Sequence, residues 1–392
     1  MAQFEKYHAK TLKGMELLLA NELTSLGAEK VEVLNRGVSF YGRRALMYKV
    51  NLASRLALRV LVPVLEFDVS NSDMLYRRVK QFDWEQFLDN KMTFAIDPVV
   101  HSPHFKNSLF VAQKAKDAIA DRFRERTSIR PSVNREQPDL LINLHISGRR
   151  ATLSLDSSGG SLHKRGYRKG DFEAPLNEVL AAGMIMATGW KGETPFLDPM
   201  CGSGTLAIEA ALIAAEIPPG IFKKQYGFEN WKEFDPELME HVALNLSKEK
   251  EVKVPIIARD VDPEAVEITR QQVKSMELSH LITVEELDFE ASEPMEGATI
   301  LMNPPYGERL KPEDIESLYA MIGTTLKHKF PGSDAWILSS SAKAMKRVGL
   351  KPASKQLLHN GALECSYVNY KTFKGNWKDV LRREIENIYA EK

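Results

Sequence analysis

The chain has 392 residues, of which 43% are hydrophobic and 27% charged, with a formal net charge of zero. This length and balance predict a globular protein with two or three domains, and exclude a chain dominated by disorder. No uninterrupted run of about 18 apolar residues is present, and residues 1–6 lack a signal-peptide core, which argues against a membrane span and secretion. Its two cysteines are too few for a disulfide framework or a cysteine zinc site. We therefore expect a cytoplasmic protein without a metal.

The zero net charge conceals two oppositely charged halves. Residues 1–170 contain 28 Lys and Arg against 18 Asp and Glu, whereas the remainder contains 25 against 35. Such asymmetry suggests that the front of the chain binds a polyanion, although scattered Lys and Arg also occur on surfaces that only face solvent.

The first 58 residues predict a compact β-α-β-β-α unit. Strands are expected at residues 6–10, 31–34 and 38–41, the last two forming a hairpin, and amphipathic helices at 14–26 and 43–56. Further strands are expected at 60–67 and 92–99, and a helix at 107–124. A hairpin at 140–147 and 151–156 follows. Basic side chains cluster on and after these elements: Lys114, Arg122, Arg149, Arg150, Lys164, Arg165 and Arg168.

This front region resembles the THUMP domain and its exit. The resemblance is carried by Val100-His101-Ser102-Pro103-His104, by the basic helix, and by the stretch from Leu162 to Arg168. It implies a ferredoxin-like subdomain at 1–58, a THUMP RNA-binding domain at 59–160 and a linker at 161–175, and makes the seven basic residues candidate RNA contacts. Residues 157–160, Ser-Ser-Gly-Gly, have a linker-like composition.

A strand, a glycine turn and a helix start follow one another at Pro195-Phe196-Leu197-Asp198-Pro199-Met200-Cys201-Gly202-Ser203-Gly204-Thr205. Gly202 and Gly204 let the backbone approach a ligand closely. The pattern matches neither common phosphate-binding motif, and Asp198 would repel a phosphate. The turn therefore favours an uncharged or cationic ligand.

Acidic residues also follow the next two predicted strands. Asp260 comes after residues 254–258, in the position of an acid that binds ribose hydroxyls, and Asp262 before a proline is an expected helix N-cap. Asp288 follows residues 282–287 and could accept a hydrogen bond from an adenine amine, while Phe289 packs the ring.

A fourth strand, residues 298–302, leads into Asn303-Pro304-Pro305-Tyr306. Asn303 and the Pro304 carbonyl present acceptors at a fixed spacing, which suits a planar amino group, and Tyr306 offers a ring for stacking. Alone, this turn could equally be a simple strand terminator.

The series Asp198, Asp260, Asp288, Asn303 resembles the class I S-adenosylmethionine-dependent methyltransferases. The resemblance implies an α/β fold with a Rossmann-like domain and a mixed seven-stranded sheet at 176–392. It implies cofactor contacts from Asp198, Cys201, Gly202, Gly204, Thr205, Asp260, Asp288 and Phe289, and catalytic roles for Asn303, Pro304 and Tyr306. With its front half, the chain resembles the bacterial 23S ribosomal RNA guanine-N2 methyltransferases. Because the longest members carry a second methyltransferase domain, we expect a single modification here.

Several alternatives remain open at this point. The same turn occurs in N6-adenine methyltransferases of DNA or RNA, in N2-guanine methyltransferases of tRNA, and in protein-glutamine methyltransferases. A non-catalytic RNA-binding assembly factor is a further possibility. Cytosine-C5 methylation is disfavoured, because Cys201 sits in the cofactor loop and neither cysteine lies at the catalytic turn. The sequence does not indicate an oligomeric state.

Overall fold

The computed structural model describes residues 4–168, 176–246, 248–305 and 312–374, without the side chains of residues 312 and 313. The chain divides into two compact units. The first comprises Met1–Leu12, Leu19–Gly166 and Pro218–Ser247, and the second comprises Lys13–Leu18, Tyr167–Ile217 and Lys248–Lys392. Among the residues described, no helix combines the length and apolarity needed to cross a bilayer.

The first unit is built on an eight-stranded sheet with the order β2-β3-β1-β4-β8-β7-β5-β6. The strands are β1 (Glu5–Lys10), β2 (Glu29–Leu34), β3 (Gly37–Gly42), β4 (Arg59–Asp68), β5 (Thr93–His101), β6 (Ser132–Val133), β7 (Leu140–Ser147) and β8 (Arg150–Asp156). The helices of this region are α1 (Glu16–Leu26), α2 (Arg44–Ala53), α3 (Ser72–Gln81) and α4 (Ser108–Thr127). The strands and helices predicted above for this region are confirmed, whereas the two-residue strand β6 was not predicted.

Strand β4 joins the two halves of this sheet. Its first residues pair with β1, with Arg59 opposite Lys10, and the strand continues along β8 to Asp68 opposite Arg150. The predicted boundary at residues 58 and 59 thus falls at the start of a strand that hydrogen-bonds to both sides.

The core beneath β7 follows from alternation along the strand. Ile142, Leu144 and Ile146 are buried together with the apolar stripe of α4, and their neighbours in sequence face the other side of the sheet. The stripe consists of Val111, Ala115, Ala118, Ile119 and Phe123.

A segment from the second half of the sequence belongs to the first unit. Residues 218–247, which include α7 (Pro236–Leu246), separate two elements of the second unit in sequence. Phe228 is fully buried, with its ring centroid 4.6 Å from that of Tyr48 and 5.1 Å from that of Tyr226. The sequence prediction, which assigned everything after residue 175 to the methyltransferase domain, did not include this packing.

The linker-like stretch at 157–160 is tightly packed. The side-chain nitrogen of Asn51, Nδ2, donates to Ser157 Oγ at 2.9 Å, and Ser158 Oγ donates to Asn51 Oδ1 at 2.7 Å. A Cβ on Gly159 would lie 2.5 Å from the backbone nitrogen of Gly227. This composition therefore marks a close backbone approach.

The second unit contains a mixed seven-stranded sheet with the order β11-β10-β9-β12-β13-β15-β14. Its strands are β9 (Phe196–Asp198), β10 (Ile256–Asp260), β11 (Ile282–Glu286), β12 (Thr299–Met302), β13 (Asp334–Ser339), β14 (Ser354–Asn360) and β15 (Leu363–Lys371). The helices are α5 (Glu178–Thr188), α6 (Thr205–Ala214), α8 (Pro263–Ser275), α9 (Pro312–Lys329) and α10 (Ala342–Arg347). The first five strands of the order are parallel, whereas β15 is antiparallel to both neighbours. This confirms the predicted Rossmann-like fold, and the strand order reverses at β9 and β12, where such sheets bind ligands.

Candidate cofactor and methyl-transfer site

A cavity of about 520 Å³ lies beyond the ends of β9, β10 and β12, a size common for small-molecule sites. It brings together most of the predicted cofactor and catalytic residues: Asp198, Cys201, Gly202, Thr205, Asp260, Asp288, Phe289 and Asn303. Sequence reasoning missed several other lining residues, namely Leu176, Ser203, Ala265, Leu318 and Met321. Leu318 and Met321 repeat at the spacing of any buried helix face, so no signal distinguished them from core residues.

The loop between β9 and α6, residues 199–204, is called the glycine loop, and it places its two glycines in different environments. Both have positive φ, +53° at Gly202 and +76° at Gly204. A Cβ on Gly202 would meet no atom within 4 Å, whereas one on Gly204 would lie 2.6 Å from Thr269 Cγ2. Thr269 is buried and donates through Oγ1 to the Gly202 carbonyl at 2.8 Å. Gly202 therefore lines the cavity, while Gly204, which does not, allows helix α8 to pack under the loop.

We expect Gly204→Ala to destabilise the protein by about 2 kcal/mol or more, since it combines a left-handed backbone with a clash against a hydrogen-bonded threonine. Gly202→Ala carries only the backbone strain, about 1 kcal/mol, but should weaken cofactor binding. Urea unfolding and calorimetric binding measure the two effects separately. Equal unfolding free energies for the two variants would contradict this division of roles.

Asp260 organises the loop after β10. Its Oδ2 accepts from the Gly202 backbone N–H at 2.8 Å, and its Oδ1 accepts from the Asp262 N–H at 3.1 Å. Each oxygen retains a second lone pair for a ligand hydroxyl. Asp262 Oδ1 accepts from the Glu264 N–H at 3.0 Å at the start of α8, which confirms the predicted N-cap.

Asp198 is a buried carboxyl with one unpartnered oxygen. Its Oδ1 has no hydrogen-bond partner among the described residues. Burial raises its pKa well above the ordinary value, the nearby Asp260 raises it further, and the Met200 backbone N–H opposes both. A ligand with a positive charge would remove this unfavourable state.

This arrangement predicts pH-dependent binding of a cationic cofactor. Because its pKa is raised, Asp198 becomes protonated at a higher pH than an ordinary aspartate does. The neutral carboxyl attracts a cation less than the carboxylate. The affinity for such a cofactor should therefore fall as the pH drops through the raised pKa, approaching tenfold per pH unit for one linked proton. Calorimetry in buffers of different ionisation enthalpy would detect the proton release on binding. The Asp198→Asn variant should bind weakly with a flat profile, and a wild-type profile equally flat from pH 5 to 9 would refute the linkage.

The loop after β11 presents one acid and one ring. Asp288 Oδ1 accepts from the Glu290 N–H at 2.9 Å, and the side chain is exposed at the cavity. Phe289 is buried and stacks on Phe330, with centroids 5.3 Å apart and planes at 17°. One face of Phe289 is therefore occupied by the core.

The turn after β12 carries a buried acceptor without a partner. Asn303 Oδ1 is buried, lies in a residue that lines the cavity, and has no hydrogen-bond partner within the described ranges. Pro304 is buried and Pro305 lines the cavity. Tyr306, the third predicted catalytic residue, lies outside the described residues. An unmade buried hydrogen bond costs about 1–3 kcal/mol, so Asn303 is suited to a ligand N–H.

Cys201 is unsuited to nucleophilic attack. Burial raises the pKa of its thiol, and Asp198 raises it further. Its sulfur lies 3.7 Å from Thr269 Oγ1. A protonated, buried thiol in the loop supports the exclusion of cytosine-C5 chemistry.

Arg168, predicted as an RNA contact, lies instead at the wall of the cavity. Its Nε is 3.0 Å from Glu178 Oε1, and its Nη2 donates to Thr205 Oγ1 at 3.3 Å and to the Leu176 carbonyl. Since Thr205 and Leu176 both line the cavity, Arg168 supports the cofactor site.

Two further candidate RNA contacts are engaged within the first unit. Arg165 is buried and donates to the carbonyls of Leu162 and Arg55, which corrects the prediction that it contacts RNA. Arg122 is largely buried and ion-paired to Asp83 and Glu85 at 2.8 and 2.7 Å. Its guanidinium therefore joins α4 to the segment after α3 and is not available to a phosphate.

The remaining candidate RNA contacts are accessible. Arg149 and Lys164 are exposed, and Lys114 is half-buried with its Nζ 5.9 Å from the centroid of Phe110. Arg150 is exposed but paired with Glu66 at 3.0 Å. Among the described residues, no group of three or more His, Cys, Asp or Glu could hold a metal ion.

Three family models match successive parts of the chain. The RlmL ferredoxin-like domain matches residues 6–61, the THUMP domain matches 69–156, and the RMKL-like methyltransferase domain matches 165–369. A Synechocystis protein that carries an RNA methyltransferase name is 38% identical over 372 residues, 94% of this chain and 97% of that protein. The ribosomal RNA large subunit methyltransferase K/L of Syntrophotalea carbinolica is 38% identical over 380 residues, 93% of this chain and 53% of that protein. The chain thus spans about half the length of its K/L relatives.

Solved structures give the same grouping. The protein SMU.472, described as a methyltransferase and solved in complex with S-adenosylhomocysteine (SAH), has a TM-score of 0.86 and 28% identity, covering 96% of this chain and all of that one. A Listeria monocytogenes protein described as an N6-adenine-specific DNA methylase has a TM-score of 0.84 and 28% identity, covering 94% and 97%.

The cavity fits the cofactor that these comparisons indicate. The space over Gly202 is open, and the buried oxygens of Asp198 and Asn303 have no partner within the described part of the chain. Such a donor-poor, acidic cavity suits a ligand that carries a positive charge and several N–H and O–H groups. The chain belongs to the RMKL-like methyltransferase family and is an S-adenosylmethionine-dependent methyltransferase.

Proposed function

We propose that this methyltransferase acts on RNA and methylates an exocyclic base amine, N2 of guanine in large-subunit ribosomal RNA. The observation that supports an amine as the methyl acceptor is the buried, unpartnered Oδ1 of Asn303, which belongs to the same cavity as the glycine loop. The choice of ribosomal RNA is supported by the K/L relatives' name, by the THUMP match and by the basic front half, and the choice of guanine by the sequence's resemblance to guanine-N2 methyltransferases. An enzyme with this substrate works in the cytoplasm, where the sequence analysis also expects the chain.

The cofactor contacts follow from the positions of the acids. Asp260 would bind the ribose hydroxyls through its spare lone pairs, and Asp288 would accept from the adenine amine. Asp198 would face the charged methionine end, next to Cys201, Gly202 and Thr205 in the loop, and Phe289 would close the base side. When bound, S-adenosylmethionine supplies an electrophilic methyl group on a positively charged sulfur.

The turn after β12 would prepare the substrate amine. The lone pair of guanine N2 is delocalised into the ring, so the nitrogen must become more tetrahedral to react. Asn303 Oδ1 and the Pro304 carbonyl would accept its two N–H hydrogens and orient the lone pair. Tyr306 would stack on an unpaired base. The chain needs no strong base, because the amine becomes acidic only after methylation.

We also propose a division of labour along the chain. In this division, RNA is bound by residues 1–58 and 59–160, and the methyl group is transferred by residues 176–392. Residues 161–175 would link these two regions, and residues 218–247 contribute to the first unit. The matched ranges 6–61, 69–156 and 165–369 support this division.

N6-adenine is the second candidate, favoured by the description of the Listeria structure. An adenine amine would satisfy Asn303 equally well, so the cavity alone does not separate the two bases. The basic front half and the ribosomal RNA names of the K/L relatives favour RNA over DNA, and the sequence's resemblance to guanine-N2 methyltransferases favours guanine.

The function is tested by offering the protein a choice of polymers. Total RNA, DNA and protein from a strain lacking this gene are incubated with the purified chain and methyl-labelled S-adenosylmethionine. We expect label in RNA above 200 nucleotides and none in DNA or protein. Label in DNA or in a protein instead would overturn the proposal.

A further inference from the structure

Two neighbouring apolar side chains are exposed on the first turn of α4. Leu109 and Phe110 are 53% and 44% exposed, whereas the next apolar residue, Val111, is buried in the core. The two side chains therefore lie outside the stripe that packs on the sheet. An exposed aromatic ring beside a leucine is a common feature of interaction sites.

One cationic group lies near this ring, and two others lie on loops next to the start of α4. Lys114 Nζ lies 5.9 Å from the Phe110 centroid, and Lys106 precedes Phe110 by four residues. The turn that carries Arg149 is fixed against the loop of His104 and Lys106 by two hydrogen bonds. Ser102 Oγ donates to the Gly148 carbonyl at 2.5 Å, and the Gly148 N–H donates to the His101 carbonyl at 2.8 Å.

The cations of these loops differ in whether they are ion-paired. Arg150 is compensated by Glu66 and Asp68, at 3.0 and 3.7 Å. In contrast, Lys106 and Arg149 make no ion pair with any described residue. The loops that carry Lys106 and Arg149 therefore add positive charge that no ion pair with a described residue compensates.

The same surface continues into a cleft. Leu109 lines a cavity of about 360 Å³ between α4 and β5, which Lys116 and Arg135 also line. Asp97 and Glu136 lie in its wall. The positive charge is therefore concentrated on the ring side, and the cleft is mixed.

We propose that the Phe110 surface, defined as His104, Lys106, Leu109, Phe110, Lys114 and Arg149, binds a single-stranded stretch of the RNA substrate. The identity of the partner as RNA rests on the proposed function. A ring flanked by cations can stack on a base and contact the phosphates on either side. Paired bases do not expose their faces, so the surface selects unpaired nucleotides.

The test compares single-stranded with duplex RNA, using the full chain. A fluorescent twelve-nucleotide single strand and a hairpin of the same composition are titrated with wild type, Phe110→Ala, Phe110→Tyr and the control Leu244→Ala. Leu244 is 66% exposed on α7 in the same unit. We expect Phe110→Ala to bind the single strand about tenfold more weakly and the hairpin as wild type does, because one base stack is lost. Phe110→Tyr should bind as wild type, and so should Leu244→Ala.

The charged part of the surface is tested by salt dependence. The Lys106→Ala/Arg149→Ala double variant should reduce the slope of log affinity against log salt by about 1.4 for the single strand. Unchanged single-strand affinity in Phe110→Ala would overturn the proposal, and so would equal losses for single strand and hairpin. RNA methylation by the wild type is measured in parallel. Failure of methylation would count against the proposed function, whereas failure of these binding differences counts against the surface alone.

Discussion

Replacing Asn303 by alanine is expected to reduce methyl transfer by about 10²–10³-fold or more while leaving the cofactor affinity within a few-fold. The side chain provides a buried oxygen that no described residue satisfies. Its removal takes away an oriented acceptor for the substrate amine but not the acids that would hold the cofactor. Single-turnover rates with labelled S-adenosylmethionine and calorimetry with SAH measure the two quantities.

Asn303→Asp is the matched control, since it keeps an acceptor oxygen at the same position. It should retain more activity than Asn303→Ala, although its charge must be desolvated. If Asn303→Ala transferred methyl groups at the wild-type rate, the assigned role of the turn would be wrong. A loss of SAH binding equal to the loss of rate would instead make Asn303 a cofactor residue.

Phe228→Ala is expected to destabilise the protein by about 3–5 kcal/mol, the range for a large aromatic side chain removed from a core. Phe228 contacts three rings, those of Tyr48, Tyr226 and Phe234, with the Phe234 centroid 5.9 Å away. The substitution therefore tests whether residues 218–247 are structurally part of the first unit. Urea unfolding followed by circular dichroism measures the free energy.

Ile221→Ala, in the same segment, is the control, because Ile221 is 50% exposed and its replacement should cost about 0.5 kcal/mol or less. Similar values for the two variants would contradict the packing.

The same packing means that removing residues 1–160 would expose Tyr226 and Phe228. We therefore expect the truncated chain to aggregate. Point substitutions, in contrast, are expected to separate RNA binding from methyl transfer.

The cofactor cavity was accessible from the sequence because its residues follow strands. Asp198 and Asp260 end short strands, Asn303 directly follows one, and parallel strands bring such residues to one edge of the sheet. The N-cap role of Asp262 was readable for a similar reason, since capping depends on local sequence. Tyr306 stays a prediction.

What the sequence did not reveal depends on long-range packing. Arg165 and Arg149 both lie in basic stretches of the sequence. Arg165, however, is buried against backbone carbonyls, whereas Arg149 is exposed. Ser157 and Ser158 have a linker-like composition, yet they hydrogen-bond to Asn51, over 100 residues away. Likewise, the sequence analysis did not predict helix α7 or assign residues 218–247 to the first unit.

The most direct test of the account is the identity of the methylated nucleoside. Large-subunit ribosomal RNA from a strain lacking this gene is incubated with the chain and methyl-labelled S-adenosylmethionine, digested, and analysed by mass spectrometry. We predict labelled N2-methylguanosine as the single product, absent with Asn303→Ala. Labelled N6-methyladenosine or 5-methylcytidine would contradict the proposed substrate atom, and unlabelled ribosomal RNA would contradict the proposed substrate.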